Sequence, residues 1–331
     1  MIYIYFISMI VSFTVLFKSA SFFVDGASSI AKILNIPKMI IGIVLVGLAT
    51  TAPEFCVSVW AAFLGHPEIA LGNAVGSVIC DDGIALAFAA ILAPTAILVN
   101  CRILKAFGIF LLSIDFLAYY LARNGIFGRI EGFLLIIILC LYYILILKNR
   151  KYRFDKNYQN NNESSGGNKD KSPHLVKAQL KPPVLLFLAG LSGVIVTSYI
   201  IVWAAKNIAL YFSISETFIG LTIIAIGTSL PEISICITAA LRREGEIAVG
   251  NILGADILNI LWIIGVASIV RPIKVELNVV NFSFPYMILI VVTMLLSMRI
   301  GCRLGKMKGF ILLGLYILYL FLTICLFGGV I

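Results

Sequence analysis

Two short sequences recur in this chain, and each combines a Pro-Glu pair with a downstream Gly-Asn segment. The first copy reads Gly47-Leu-Ala-Thr-Thr-Ala-Pro-Glu54 and continues at Gly72-Asn-Ala-Val-Gly76. The second copy reads Ala225-Ile-Gly-Thr-Ser-Leu-Pro-Glu232 and continues at Gly250-Asn-Ile-Leu-Gly254. Matched positions are always 178 residues apart, without a gap. The constant offset indicates an internal duplication.

Acidic residues accompany both copies inside apolar runs, and no Lys or Arg lies among these acids. They are Glu54, Asp81 and Asp82 in the first copy and Glu232 and Asp256 in the second. An acidic side chain at the centre of a bilayer costs about 2.5 to 3.5 kcal/mol even on lenient insertion scales. Hard cations such as Ca²⁺ bind carboxylates together with neutral oxygens. We therefore interpret these acids as ligands of a bound cation.

The prolines predict that the helices carrying the glutamates are interrupted. Pro53 and Pro231 cannot donate a helical hydrogen bond and crowd the carbonyl one turn earlier. We expect breaks near Ala49 and Gly227, where released carbonyls can face a cavity instead of lipid.

Hydroxyl groups precede each glutamate directly, and further oxygens follow downstream. Ser77 and Asp81 are four residues apart and share a helical face. Asp82 is rotated from Asp81 by about 100° around the helix axis. Two roles therefore stay open for it, contact with a neighbouring helix or water and contact with an ion. Asp256 could tune or replace a ligand. The hydroxyls before the glutamates belong to Thr50, Thr51, Thr228 and Ser229.

The composition is that of an integral membrane protein. Of the 331 residues, 61% are hydrophobic and only 12% are charged, about half the charge of a soluble domain. Period-2 alternation is absent, which excludes a membrane β-barrel. The seven cysteines show no metal-binding spacing, and we expect them to pack in the core. We expect no cofactor, no nucleic-acid partner and no obligatory protein partner; the bilayer is the predicted environment.

Apolar runs of about 20 residues predict an all-α, polytopic protein with ten transmembrane helices. The predicted spans are 2–23, 37–64, 70–94, 97–121, 126–147, 183–205, 215–241, 246–270, 278–298 and 308–329. Residues 149–182 have the polar composition of a flexible linker. This linker separates a first repeat, 1–148 with a core at 37–94, from a second repeat, 183–331 with a core at 215–270.

Five spans per repeat is an odd number, so the second copy enters the membrane from the opposite side. Inverted repeats with interrupted helices 2 and 7 and a midmembrane site are typical of secondary transporters. Of the 25 Lys and Arg residues, 20 lie on the side of the linker. The positive-inside rule therefore predicts a cytoplasmic linker and extracellular termini.

These motifs resemble those of the cation/Ca²⁺ antiporter superfamily, and most closely its prokaryotic Na⁺/Ca²⁺ exchangers. The repeats of that superfamily carry G-T-S-x-P-E and G-N-x-x-G-S motifs, and Gly227-Thr-Ser-Leu-Pro-Glu232 matches the first motif at every specified position. The resemblance implies that Glu54 and Glu232 bind Ca²⁺ and Na⁺ centrally. It adds the carbonyls of Gly47 and Ala225 and the acid/amide pair Asp81 and Asn259. It also implies that hydroxyls of Thr50, Thr51, Ser77, Thr228 and Ser229 act as ligands.

Three positions depart from the pattern of that superfamily. Ala255 stands where the second repeat normally has Ser, which removes a hydroxyl. The acid and the amide are exchanged, with Asp81 in the first copy and Asn259 in the second. Val78 and Asp256 replace the usual Asn. These departures bear on the ion stoichiometry and on which ion drives transport.

The sequence predicts an antiporter that exchanges Ca²⁺ for Na⁺ across a prokaryotic inner membrane by alternating access. Carboxylates also accept protons, so a H⁺-coupled or K⁺-dependent exchanger is an alternative. An intramembrane aspartyl protease that uses Asp81 or Asp82 with Asp256 would leave both Pro-Glu motifs unexplained. A passive channel would carry ions without a counter-ion.

Overall fold

The computed structural model describes residues 2–34, 36–65, 67–148, 173–211 and 225–327. The described residues form ten helical segments, five on each side of the gap at 149–172. The first five are α1 (Ile2–Leu34), α2 (Lys38–Thr50 and Ala52–Leu64), α3 (Pro67–Leu92), α4 (Cys101–Ala122) and α5 (Arg129–Lys148). The second five are α6 (Pro173–Tyr211), α7 (Ala225–Thr228 and Leu230–Leu241), α8 (Gly245–Val270), α9 (Val279–Cys302) and α10 (Lys306–Phe327).

The predicted all-α, polytopic architecture is confirmed. Fewer than the ten predicted spans, however, are helices long and apolar enough to cross a bilayer within the described residues. Among the described residues, seven helices are long and apolar enough to cross a bilayer, and the two bent halves of α2 together make an eighth. α4 falls outside this set; it carries Arg102, Lys105 and Asp115. The described part of α7 is short, because the predicted residues 215–224 of that span lie outside the described residues.

α6 is longer than predicted. It begins at Pro173, so residues 173–182, which we expected in the flexible linker, are helical. The apolar run predicted that this span begins at 183, and proline ordinarily disfavours a helix interior. Pro182 and Pro183 instead lie inside the helix. Residues 149–172 of the predicted linker lie outside the described residues.

The predicted interruptions of α2 and α7 are present, but two residues later than expected. α2 bends by 42° at Thr51, and α7 turns at the equivalent residue, Ser229. Pro53 and Pro231 each become the second residue of the following helical half. In the first turn of a helix the missing N–H of proline costs nothing, so the chain breaks just before the proline and not a full turn earlier.

Two short β-ladders establish that the repeats are inverted. β1 (Ile97–Leu98) and β2 (Ile126–Phe127) lie before and after α4, whose 22 residues span about 33 Å. β3 (Ile273–Lys274) and β4 (Arg303–Leu304) hold the equivalent places around α9.

If the repeats were parallel, β1 would lie at the same end of the molecule as its counterpart β3. Instead β1 pairs antiparallel with β4, and β2 pairs antiparallel with β3. Each ladder therefore joins the end of one repeat to the opposite end of the other.

Glycines bring the first half of α2 against α8 at backbone distance. A Cβ on Gly42 would lie 2.8 Å from the Cα of Gly250, and a Cβ on Gly254 would overlap the carbonyl of Ile43. Only glycine permits this approach, because any Cβ would collide with main-chain atoms. The contact places Thr50, at the end of this half of α2, beside α8.

One pair of cysteines corrects the expectation that all seven serve only in packing. Cys101, at the start of α4, forms a disulfide with Cys302, at the end of α9. The bond lies beside the β1–β4 ladder and joins the two repeats a second time at that end.

Candidate functional site

The two glutamates of the duplicated motif occupy the first turns of the second halves of α2 and α7. Each side chain is only 1% exposed. They lie near enough to each other, and to Asp81 on α3, for their charges to interact. Because a helix begins just before each glutamate, the positive end of the helix dipole partly offsets each carboxylate. The duplicated motif therefore brings one acid from each repeat into a common buried site.

Carboxyl oxygens of this site lack hydrogen-bond partners. Both oxygens of Glu54, one of Glu232 and one of Asp81 are buried without a hydrogen-bond partner among the described residues. The salt bridges within the described residues join Lys38 to Glu244 and Arg242 to Asp25, and involve none of these acids. Unpaired buried charge is costly, so these carboxyls require a cation or a proton.

Neutral oxygens surround the carboxyls. Thr50 lies near Glu232, and Ser229 lies near Asp81. The hydroxyls of Thr51 and Ser229 are buried without a partner, and Ser77 is buried on α3. No three acidic, histidine or cysteine side chains within the described ranges are arranged to hold a metal ion alone. An ion bound here would therefore depend on hydroxyls and carbonyls in addition to carboxylates.

The two candidate carbonyl ligands belong to equivalent helical turns before each break, Gly47 in α2 and Ala225 in α7. The Gly47 carbonyl accepts a hydrogen bond from the Thr51 N–H at 3.0 Å. The Thr50 hydroxyl also lies 3.3 Å from this oxygen. The second lone pair of the Gly47 carbonyl is open to an ion only when the Thr50 proton goes to another acceptor.

Asp81 and Asn259 each begin a π-helical turn, a feature that the sequence analysis did not predict. These turns cover Asp81–Leu86 in α3 and Asn259–Ile264 in α8, again 178 residues apart. Inserted π-turns are rare and occur frequently at functional sites. Both side chains are buried, and Asn259 Oδ1 has no hydrogen-bond partner. The duplication therefore preserves a local distortion as well as the residue positions.

Asp82 and Asp256 form a second group, adjacent to Asp81, with an acid that the sequence analysis missed. Their side chains face each other, and Asp115 of α4 lies near both. All three are fully buried, and no oxygen of these carboxyls has a hydrogen-bond partner within the described ranges. Asp82 therefore lies near acids of α8 and α4, and its role, contact with a neighbouring helix or water or contact with an ion, stays a prediction. Asp115 could have been noticed as the lone acid within the fourth predicted span.

Asn73 and Asn251 lie within the Gly-Asn segments, and sequence reasoning assigned them no role. The Thr50 hydroxyl donates to Asn251 Oδ1 at 3.0 Å. The Thr228 hydroxyl donates to Asn73 Oδ1 at 3.3 Å. Both bonds cross between the repeats, and they are related by the offset of 178 residues.

Two inverted repeats whose interrupted helices carry buried acids at the breaks define a class of secondary transporter. Comparison with known proteins agrees. The sequence profile described as "Sodium/calcium exchanger protein" matches residues 4–148 and 182–325. The chain therefore belongs to the sodium/calcium exchanger protein family, a family of membrane cation exchangers and not of enzymes.

Similar proteins match along nearly the whole chain. "Putative antiporter CaxA" of Alkalimonas amylolytica is 34% identical over 327 residues, covering 96% of this chain and 97% of that protein. "Sodium/calcium exchanger MaX1" of Methanosarcina acetivorans is 27% identical, covering 97% and 98%. The solved structure of the sodium-calcium exchanger NCX_Mj soaked with Na⁺ superposes with a TM-score of 0.82 at 27% identity, over 97% of this chain and 99% of that one.

Proposed function

We propose that this protein exchanges Ca²⁺ for Na⁺ across a prokaryotic inner membrane, with both ions competing for the site around Glu54 and Glu232. The observation that carries the proposal is the pair of buried glutamates, one from each repeat, with three of their four carboxyl oxygens lacking a hydrogen-bond partner in the described part of the chain. Two similar proteins bear the name of sodium/calcium exchanger. The other proposed ligands are Asp81, Asn259, Ser77, Thr50, Thr51, Thr228, Ser229 and the carbonyls of Gly47 and Ala225, with Asp82 and Asp256 as secondary candidates.

Coupling follows from the charge of the site. Empty carboxylates resist enclosure, because burying unpaired charge in a medium of low dielectric constant is costly. A bound Ca²⁺, or Na⁺ ions in its place, neutralises them and permits occlusion. The site then changes its accessibility from one side of the membrane to the other only when it is loaded. This requirement couples the Ca²⁺ flux to the Na⁺ flux.

In the proposed topology the linker at 149–182 is cytoplasmic and joins the repeats at 1–148 and 183–331. Both termini are extracellular. The β-ladders support the inverted arrangement of the two repeats, and they fit this orientation and its reverse equally. The loops joined by β1 and β4 were predicted on the cytoplasmic side, and those joined by β2 and β3 on the outside. A disagreement within either pair would have contradicted the topology.

Uptake of ⁴⁵Ca²⁺ into vesicles containing the purified protein tests the proposal. Vesicles loaded with Na⁺ and diluted into Na⁺-free buffer should accumulate Ca²⁺. Parallel samples carry a pH gradient without Na⁺, a K⁺ gradient, or no gradient. Uptake driven only by the pH gradient would identify a H⁺-coupled exchanger. A strict requirement for K⁺ would identify a K⁺-dependent exchanger, and uptake without any counter-ion would identify a channel.

Glu54→Gln and Glu232→Gln should each abolish Na⁺-driven uptake, because each removes a negative charge that attracts the transported cation. Glu68→Gln is the matched control, since Glu68 is exposed in the first turn of α3. Equal loss in Glu68→Gln, or full activity in either site variant, would contradict the proposed site.

A further inference from the structure

Both ends of the Asn73 and Asn251 amides are held, not only their oxygens. The Nδ2 of Asn73 donates to Ser58 Oγ at 2.9 Å and to the Glu54 carbonyl at 3.4 Å. The Nδ2 of Asn251 donates to Cys236 Sγ at 3.5 Å. Ser58 and Cys236 are equivalent positions of the duplication. In each repeat, therefore, the donor end of the amide faces its own repeat and the acceptor end faces the threonine of the other.

This orientation matters because a hydroxyl that coordinates a cation presents its lone pairs to the ion. Its single proton must then go to an acceptor that is not itself a ligand. For Thr50 the other acceptors are the Gly47 carbonyl at 3.3 Å and the nearby Glu232 carboxyl. A proton shared with either would compete with the ion for that oxygen. Asn251 Oδ1, at 3.0 Å, accepts the proton outside the proposed ligand set.

We propose that Asn73 and Asn251 are positioning residues that hold the hydroxyls of Thr228 and Thr50 with their oxygens turned toward the transported cation. The inference rests on the proposed function, because it assumes that ions bind beside Glu54 and Glu232. Each amide acts across the repeat boundary, so the ligand geometry of one repeat is set by the other.

The two amides are not held equally firmly. Oxygen is a stronger hydrogen-bond acceptor than thiol sulfur, and the bond to Ser58 is the shorter one. Asn251 is also fully buried, whereas Asn73 is half-buried. Cys236→Ser would give Asn251 the same acceptor that Asn73 has. We expect this change to lower the apparent KM for Ca²⁺.

A crossed double-mutant cycle tests the inference in the vesicle assay. Asn251→Leu removes the acceptor while keeping a similar volume, and Thr50→Val removes the hydroxyl. We expect Asn251→Leu alone to raise the apparent KM for Ca²⁺ about five- to tenfold, the effect of one buried hydrogen bond. In the Thr50→Val background it should add less than about twofold, because its partner is already absent.

Thr228→Val provides the matched control, since Asn251 does not bond to Thr228. Combined with Asn251→Leu, it should leave the full effect of Asn251→Leu intact. A full effect of Asn251→Leu in the Thr50→Val background would overturn the inference. A change in maximal rate at unchanged KM would also overturn it, because this result indicates a purely structural role.

Failure of the proposed function gives a different result. If wild-type vesicles show no Na⁺-driven uptake, the proposed exchange is wrong, and Ca²⁺ binding to the purified protein by calorimetry then serves as the readout of the same cycle. Absence of wild-type binding would overturn the inference as well. If Asn251→Leu does not fold, the equivalent cycle of Asn73→Leu with Thr228→Val, controlled by Thr50→Val, tests the same claim.

Discussion

The close contact between α8 and the first half of α2 makes Gly254→Ala a sensitive test of the packing that supports the site. A Cβ at this position would overlap the carbonyl oxygen of Ile43 and lie 2.9 Å from its carbonyl carbon and Cα. These are main-chain atoms, which cannot rotate away, so the two helices must separate.

The magnitude follows from two opposing contributions. Overpacking in a tightly packed core costs about 1 to 3 kcal/mol. A clash between a new Cβ on α8 and the main chain of α2 belongs at the upper limit of this range. Replacing Gly by Ala in a helix interior returns about 1 kcal/mol. The expected net loss is about 2 kcal/mol, enough to lower the unfolding temperature by several degrees.

Thermal unfolding of the detergent-purified variants measures this loss, with Gly314→Ala as the matched control. Gly314 is an exposed residue of the α10 helix, and a Cβ there meets no atom within 4 Å among the described residues. The control should unfold at or slightly above the wild-type temperature. If Gly254→Ala is as stable as Gly314→Ala, α2 and α8 are not in backbone contact and our placement of Thr50 is wrong.

Two further substitutions probe the helices around the site. Asn100→Ala should destabilise the protein by about 1 kcal/mol in the same unfolding assay, because the Asn100 side chain caps α4 by accepting from the N–H groups of Arg102 and Ile103. Asn100→Ser should retain most of the stability, and equal losses in both variants would exclude the cap. Asp115→Leu should raise the unfolding temperature, since an apolar side chain of similar size replaces a buried carboxyl without a partner. A lowered temperature would show that Asp115 has a stabilising partner.

The duplication explains why much of the architecture could be predicted. Glu54 and Glu232 are costly in an apolar run, and their repetition at one offset excludes chance. Their burial and their approach across the repeats follow from an inverted arrangement. Asp115 has no such support, because the equivalent position in the second repeat is Thr293. A single acid in an apolar span gives no indication of which helix it faces.

Other features depend on contacts that no local pattern encodes. Cys101 and Cys302 are 201 residues apart, and the duplication does not relate them. The π-helical turn at Asp81 has no sequence signature, since it depends on packing against neighbouring helices. Proline chemistry predicted that α2 is interrupted, but not that Pro53 would enter the following helix and move the break to Thr51.

The exchange of strands between the repeats also limits how the molecule can move. The two ladders connect the ends of six helices, one ladder at each face of the membrane. These helices are α3, α4, α5, α8, α9 and α10. Sliding one repeat past the other would break main-chain hydrogen bonds on both sides at once. The antiparallel pair α1 and α6, packed through Phe23 and Phe187, contributes to neither ladder nor to the disulfide. This pair is instead attached to the rest of the fold by side-chain contacts of α1, among them the salt bridge of Arg242 with Asp25 and the hydrogen bond that Ser28 donates to Glu244.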